Sequence, residues 1–224
     1  MVTRALALLL LISLPLPATG GAWLREEGTT FLSLGFEARR FEATGHSLSR
    51  QELYIEHGLR PKLTIGAKGN LDSDSTATGE IFARFPLRAD DCPGRIAAEI
   101  GIGGEHDGFV IAPYLRTGVS WGRGIKIARK SGWVNVDGAV EWPIKNATED
   151  PLWKLDATVG LSLSERSQIM FQAFFESSSG RNRVTLNPSY IFRTKNGTRY
   201  VGGIAHRTGT DGYTSLRFGI WREF

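Results

Sequence analysis

Lys154 to Leu163 reads KLDATVGLSL, and it alternates without a break. Leu155, Ala157, Val159, Leu161 and Leu163 fall on one side of an extended chain, with Lys154, Asp156, Thr158, Gly160 and Ser162 on the other, because successive side chains of a strand point to opposite faces. The same reading extends outward in both directions. Thr30 to Ala38 sets Leu32, Leu34, Phe36 and Ala38 against Ser33, Gly35 and Glu37. Ala77 to Leu87 sets Ile81, Ala83, Phe85 and Leu87 against Glu80, Phe82 and Arg84. The last segment sets Leu216, Phe218, Ile220 and Phe224 against Tyr213, Ser215, Arg217, Gly219 and Glu223. The period is two and not 3.6, so these are strands with one apolar and one polar face.

Twelve such runs are predicted, at about 29–40, 50–59, 62–71, 77–88, 95–103, 109–121, 132–143, 153–164, 168–177, 182–193, 198–206 and 213–224. Most have roughly 9–13 residues, against about 5–6 for an ordinary strand. Long, strictly alternating strands suit a barrel through an apolar band some 25 Å tall, which a tilted strand crosses in about 9–11 residues. The expected fold is therefore an all-β transmembrane barrel, antiparallel and up-and-down, of about 12 strands. A periplasmic β-sandwich is the fold-level rival, and it would need shorter strands.

Met1 to Gly20, MVTRALALLLLISLPLPATG, has a basic residue at Arg4, an apolar run from Ala5 to Leu14, breakers at Pro15 and Pro17, and small residues at Ala18 and Gly20. That is the layout of a cleavable signal peptide, with cleavage after Gly20 or as late as Ala22, and the barrel is expected over 21–224. The apolar run is about half the ~20 residues that a spanning helix needs. The 224 residues carry 27 Lys+Arg against 23 Asp+Glu, a formal +4, and this surplus is too small to point to nucleic acid. One cysteine, Cys92, excludes an intrachain disulfide and any Cys-rich metal site. It is expected in a turn.

Connections offer a further test. Short turns are expected after even strands, at Arg60-Pro61, at Ser164 to Ser167 and at Thr194 to Gly197. Longer polar loops are expected after odd ones, at 43–50, 70–76, 143–151 and 207–212. Arg123 to Ser131, after the sixth strand, is too long for this scheme. The six tryptophans, Trp23, Trp121, Trp133, Trp142, Trp153 and Trp221, lie near strand ends, where interfacial girdles are built. The chain closes with a terminal Phe224 and apolar residues at alternate positions behind it, Phe218 and Ile220 among them. This ending resembles the signal by which the bacterial barrel-assembly machinery recognises its substrates, and it implies an outer-membrane location with lipid as a partner. Arg222 interrupts the apolar pattern.

With apolar faces toward lipid, polar faces line a lumen. The lumen candidates are Glu37, Glu52, Glu56, Lys68, Glu80, Arg84, Glu99, Arg116, Asp137, Glu141, Lys154, Asp156, Glu176, Arg183 and Arg217, together with Arg39 and Lys62. Signs nearly balance. Two readings stay open: charges that pair across the interior and leave it closed, or a narrow conduit for small solutes with weak ion preference.

No cofactor, metal site or catalytic residue is expected. Gly45-His46-Ser47-Leu48-Ser49 invites comparison with lipid-acting hydrolases, but it falls in a predicted loop and no orienting partner follows from its spacing. His106, within Gly104-Glu105-His106-Asp107-Gly108, sits in a stretch with too few ligands to hold a metal. Asn146-Ala147-Thr148 and Asn196-Gly197-Thr198 match glycosylation acceptors at the frequency chance allows. A lipid hydrolase and a closed structural or interaction barrel remain as alternatives to a channel.

Tyr54-Ile55-Glu56-His57-Gly58-Leu59-Arg60-Pro61-Lys62-Leu63-Thr64-Ile65-Gly66-Ala67 resembles a hairpin of barrels related to the phenol-degradation meta-pathway outer-membrane proteins, through Glu56, Gly58, Leu59, Leu63, Thr64 and Gly66. The opening of the mature chain, Ala22-Trp23 followed by Glu26 and Gly28, is similar to that of proteobacterial outer-membrane proteins. The resemblance implies the fold and a transport role for small hydrophobic compounds. The same hairpin also reads as a glycine at a strand end, a tight turn and an alternating return strand.

Overall fold

Alternation closes on itself. The computed structural model describes residues 21–87, 94–144, 150–209 and 211–224. Its strands are β1 (Thr30–Phe41), β2 (Ser47–Arg60), β3 (Leu63–Asp72), β4 (Ala77–Pro86), β5 (Arg95–His106), β6 (Ile111–Ile127), β7 (Lys130–Pro143), β8 (Leu152–Ser162), β9 (Ser167–Ser178), β10 (Arg181–Arg193), β11 (Arg199–Arg207) and β12 (Tyr213–Glu223). Each pairs antiparallel with its sequence neighbours, and β1 pairs with β12, giving a closed barrel. Closure removes both sheet edges, so strand backbones are hydrogen-bonded within the sheet even where no water is available. No helix occurs among the described residues.

The apolar face of every strand points outward. Leu34, Phe36, Ile81, Ile100, Ile102, Leu155, Ile204, Leu216 and Phe218 are exposed, Ile81 at 63% and Phe218 at 60%. A belt of this kind around a whole molecule far exceeds the few hundred Å² of apolar patch that water-soluble proteins carry. It requires hydrocarbon around it.

Loop lengths depart from the expected parity. Ser47 to Ser49 join β2, Asn70 to Asp72 join β3 and Arg207 joins β11, because these residues find ladder partners across the barrel end. The connection after β9 is only Ser179-Gly180, with φ of 50° and 74°. The stretch after the sixth strand is no long loop either. β6 and β7 pair through to Ile127↔Lys130 and turn on Ala128 and Arg129, with φ of 47° and 68°, the backbone of a type I′ hairpin. Cys92, Asn146 to Thr148 and Met1 to Gly20 lie outside the described residues.

The tryptophans divide. Trp121, Trp142 and Trp153 face outward, with Trp142 and Trp153 edge to face at 6.5 Å. Trp23, Trp133 and Trp221 instead belong to an apolar cluster inside the barrel, with Ala22, Met170, Ile191 and Val201. Inward positions 133, 191, 201 and 221 all lie at the end where β1 begins and β12 finishes, and there the N-terminal segment enters.

Candidate functional site

The lumen is built from two unlike walls and a closed end. On β2 to β8 the inward charges form one run of alternating sign. Arg84 reaches Glu56 on one side and Glu99 on the other, the latter at 2.6 Å. Arg116 holds Glu99 at 3.1 Å and Glu141 at 2.8 Å, and Lys154 meets Glu141 at 2.8 Å. Lys68 pairs with Glu80 at 3.0 Å, and the Tyr114 hydroxyl donates to Glu80 at 3.1 Å. Glu56, Glu80, Arg84, Glu99, Arg116 and Glu141 are buried, and a buried charge is tolerated only when so partnered.

Other pairs sit around the remaining circumference. Arg39 holds Glu37 at 2.6 Å, and the Ser215 hydroxyl donates to Glu37 at 2.7 Å. Arg217 meets Glu52 at 2.7 Å and Arg207 meets Glu176 at 3.1 Å. Arg183 turns to Asp211 at 2.7 Å. Asp137 and Asp156 stand apart: they face each other across β7 and β8, and neither is in an ion pair among the described residues. Lys62 is not in the lumen at all. It lies exposed in the turn between β2 and β3, because the ladder ends before it.

The second wall is uncharged but polar, with Thr158, Gln172, Asn187 and Ser189 beside a cavity of about 420 Å³. Gly21 lines this cavity, and the rest of the N-terminal segment, 22–29, packs at the barrel end around the cluster of Ala22 and Trp23. Arg25 is its anchor: the guanidinium holds Glu56 at 2.6 Å and lies 4.3 Å over the Phe31 ring, and its backbone N–H donates to Thr64 Oγ1 at 2.8 Å. Gly28 donates to the Gly58 carbonyl at 2.8 Å, and Gly58 donates to the Thr29 carbonyl at 3.0 Å. A Cβ on Gly58 would overlap the Glu26 carbonyl oxygen, and one on Gly122 would overlap the Trp23 ring. Three residues of the recognised hairpin, Glu56, Gly58 and Thr64, are thus the seat of this segment. The turn chemistry read from the sequence accounts for Arg60 to Lys62 alone.

Sequence reasoning placed no inward role on Arg25, Arg50, Tyr54, Asp72 or Arg207. Arg50 and Asp72 form a bidentate pair at 2.6 and 2.5 Å, and the Tyr54 hydroxyl donates to Glu56. Arg50 opens the expected second strand and Asp72 lies one residue past the expected third, so alternation carried one residue further would have found that pair. Nothing local marks Arg25, whose partners lie 31 and 39 residues away.

The outer wall bears on the hydrolase alternative. His46 is exposed just before β2 and its backbone N–H donates to Thr44 Oγ1. His57 Nδ1 lies 2.9 Å from Thr30 Oγ1. His206 Nδ1 lies 3.1 Å from Thr214 Oγ1 and 3.3 Å from Glu42 Oε1. One ring nitrogen serves both neighbours, whereas a nucleophile–base–orienter arrangement needs a hydroxyl on one nitrogen and an acid on the other. Phe218, Ile220 and Phe224 are exposed along and just beyond β12, and the Phe224 backbone exchanges two hydrogen bonds with Thr30.

The fold matches solved barrels. A KdgM porin in complex with disordered oligogalacturonate superposes with a TM-score of 0.64 at 9% identity, over 87% of this chain and 99% of that one. A NanC porin gives 0.62 at 11%, over 84% and 98%. An outer membrane channel from Pseudomonas putida F1 gives 0.63 at 10%, over 92% and 99%. No protein-family model and no curated protein matches the chain in sequence. At such identities the likeness is one of fold: a closed twelve-strand barrel of the porin-like kind.

Proposed function

We propose that the protein is a bacterial outer-membrane channel of narrow bore that passes small solutes, and that it performs no catalysis. The observation that carries this reading is the inversion of the molecule: an apolar belt outside, and inside it charges and polar groups around a cavity of about 420 Å³. Residues 1–20 act as the export signal. Lipid surrounds the belt, and Phe218, Ile220 and Phe224 serve recognition by the assembly machinery. The charged lining of Glu37 through Arg217 acts as the wall of the path, with no cofactor. The resemblance of Tyr54 to Ala67 to a hairpin of barrels related to the phenol-degradation meta-pathway proteins supports kinship with them, and the hairpin's service as the seat of the N-terminal segment gives that resemblance a structural reason.

A second reading is favoured by the floor that Trp23 and Arg25 make: a barrel closed at one end, whose work is done by its loops. Single-channel conductance of refolded Gly21–Phe224 in a planar bilayer separates the two. The channel reading expects small discrete steps that grow when residues 21–28 are deleted. Silence from both proteins, each resisting unfolding until boiled, would overturn it and leave the closed barrel.

A further inference from the structure

Most of the lumen's charges are paired, but buried Arg199 at the start of β11 and the carboxylates Asp137 and Asp156, all beside the cavity of about 420 Å³, are in no ion pair among the described residues. Asp137 and Asp156 are directly opposite on β7 and β8, an arrangement that repels. The wall cations on neighbouring strands are drawn to other carboxylates, Arg84 to Glu56 and Glu99, and Arg116 and Lys154 to Glu141. Asp137 Oδ2 accepts from Asn135, but Oδ1 is buried and accepts no hydrogen bond of ordinary geometry among the described residues. The Ser120 hydroxyl is a polar neighbour of this carboxylate, and no cation of the described residues is ion-paired with it, which a buried charge needs.

What lies against it is Gly21. A Cβ on Gly21 would overlap Asp137 Oδ1 and lie 2.6 Å from Ser120 Oγ, so the Gly21 backbone is in contact with that carboxylate. The nitrogen of Gly21 is one bond of about 1.46 Å from its Cα. The next residue is fixed in turn, since the Ala22 N–H donates to Asn135 Oδ1 at 3.3 Å and Ala22 is fully buried. The segment is therefore held from its first residue onward, and its first residue is at the unpaired carboxylates.

We propose that export processing completes this lumen: the mature chain begins at Gly21, and its α-ammonium is the countercharge of Asp137 and Asp156. The inference rests on reading residues 1–20 as a signal peptide, and it goes beyond the channel proposal. A signal peptidase hydrolyses the Gly20–Gly21 amide with one water; the carbonyl carbon keeps the hydroxyl oxygen as a carboxylate on the released peptide, and Gly21 nitrogen takes up the protons as an ammonium. Cleavage after Gly20 creates this charge where it is needed. Cleavage after Ala22 would discard the two residues that touch Asn135, Ser120 and Asp137. A glycine at this position leaves the carboxylate its place.

The test has two readouts, neither of which depends on conduction. N-terminal sequencing of protein extracted from membranes is expected to start at Gly21; a start at Trp23 overturns the proposal. Acylation of the α-amine by an N-hydroxysuccinimide ester at pH 8 is then followed on the folded protein by mass spectrometry of the N-terminal peptide. The carboxylates hold the amine protonated and unreactive, so Asp137→Asn/Asp156→Asn is expected to label about tenfold faster than wild type, the rate ratio of one unit of pKa. Burial alone slows both proteins equally, so equal rates also overturn the proposal. Unboiled gel mobility reports folding. Where the double variant fails that check, Asp156→Asn alone is compared, and a chain with one alanine added before Gly21 is expected to label at the faster rate.

Discussion

Arg84 joins two buried carboxylates, Glu56 and Glu99, and its loss would leave both without that cation. Arg84→Met is expected to destabilise the barrel by about 3 kcal/mol, the size typical of breaking a buried pair, with Arg84→Met/Glu99→Gln losing less. Urea unfolding followed by unboiled gel mobility measures both. Gly58 matters for a different reason. Gly58→Ala puts a methyl group into the Glu26 carbonyl, so the N-terminal segment is expected to leave its seat while the strands stay paired. Protease cleavage near Arg25 should then rise several-fold in detergent, with the barrel itself still resistant. Which way Arg84 and Gly58 face follows from counting in twos along β4 and β2. That Gly58 faces a piece of its own chain does not, because no period links it to Glu26.

The hairpins carry predictions of their own. Ala128 and Arg129 adopt φ of 47° and 68°, a region in which a side chain is strained. Replacing them with Asn-Gly, the pair that type I′ turns favour, is expected to stabilise the β6–β7 hairpin by roughly 0.5–1 kcal/mol, visible as a higher melting temperature. In the loop between β5 and β6 the Asp107 carboxylate accepts backbone N–H groups of Val110 and Phe109, at 2.8 and 2.9 Å, and these hold its pKa below the usual aspartate range. A depressed folded value means that the carboxylate stabilises the loop above its unfolded pKa of about 3.9, and that this is lost as pH falls through the folded value. The Val110 and Phe109 amide resonances are expected to hold their hydrogen-bonded shifts at pH 5 and lose them well below 4. These elements also show where reading stops. Alternation located all twelve strands to within a few residues, apart from the far end of β6. It could not separate a polar strand end from a loop at Ser47 to Ser49, and at the end of β6 Arg123 breaks the apolar face that Trp121, Ile125 and Ile127 otherwise share.

For the molecule as a whole, closure is the decisive property. A sealed β1–β12 seam predicts compact, fast migration on gels until boiling, in detergent and in lipid alike. The lumen's closed end predicts how it opens. Trp23→Ala removes the centre of the apolar floor, and such a truncation at a buried site is worth about 3–5 kcal/mol. That loss falls on the docking of residues 21–29, so larger conductance steps are expected from Trp23→Ala without a large change in barrel stability.

Alternation of apolar and polar residues determined the strands, their inward and outward faces and the class of fold, because a two-residue period is a local property that a lipid belt imposes on every strand in the same way. It also placed Glu56, Arg84, Glu99 and Arg116 on a common inner surface. Partner choice among those charges came only with closure. So did the inward seat of Trp23 and Arg25, and the pairing of Asp137 with no cation of the wall. Each of these depends on which strands stand side by side and on how far across the lumen a side chain reaches, and contacts made across a hundred residues of chain leave no period behind.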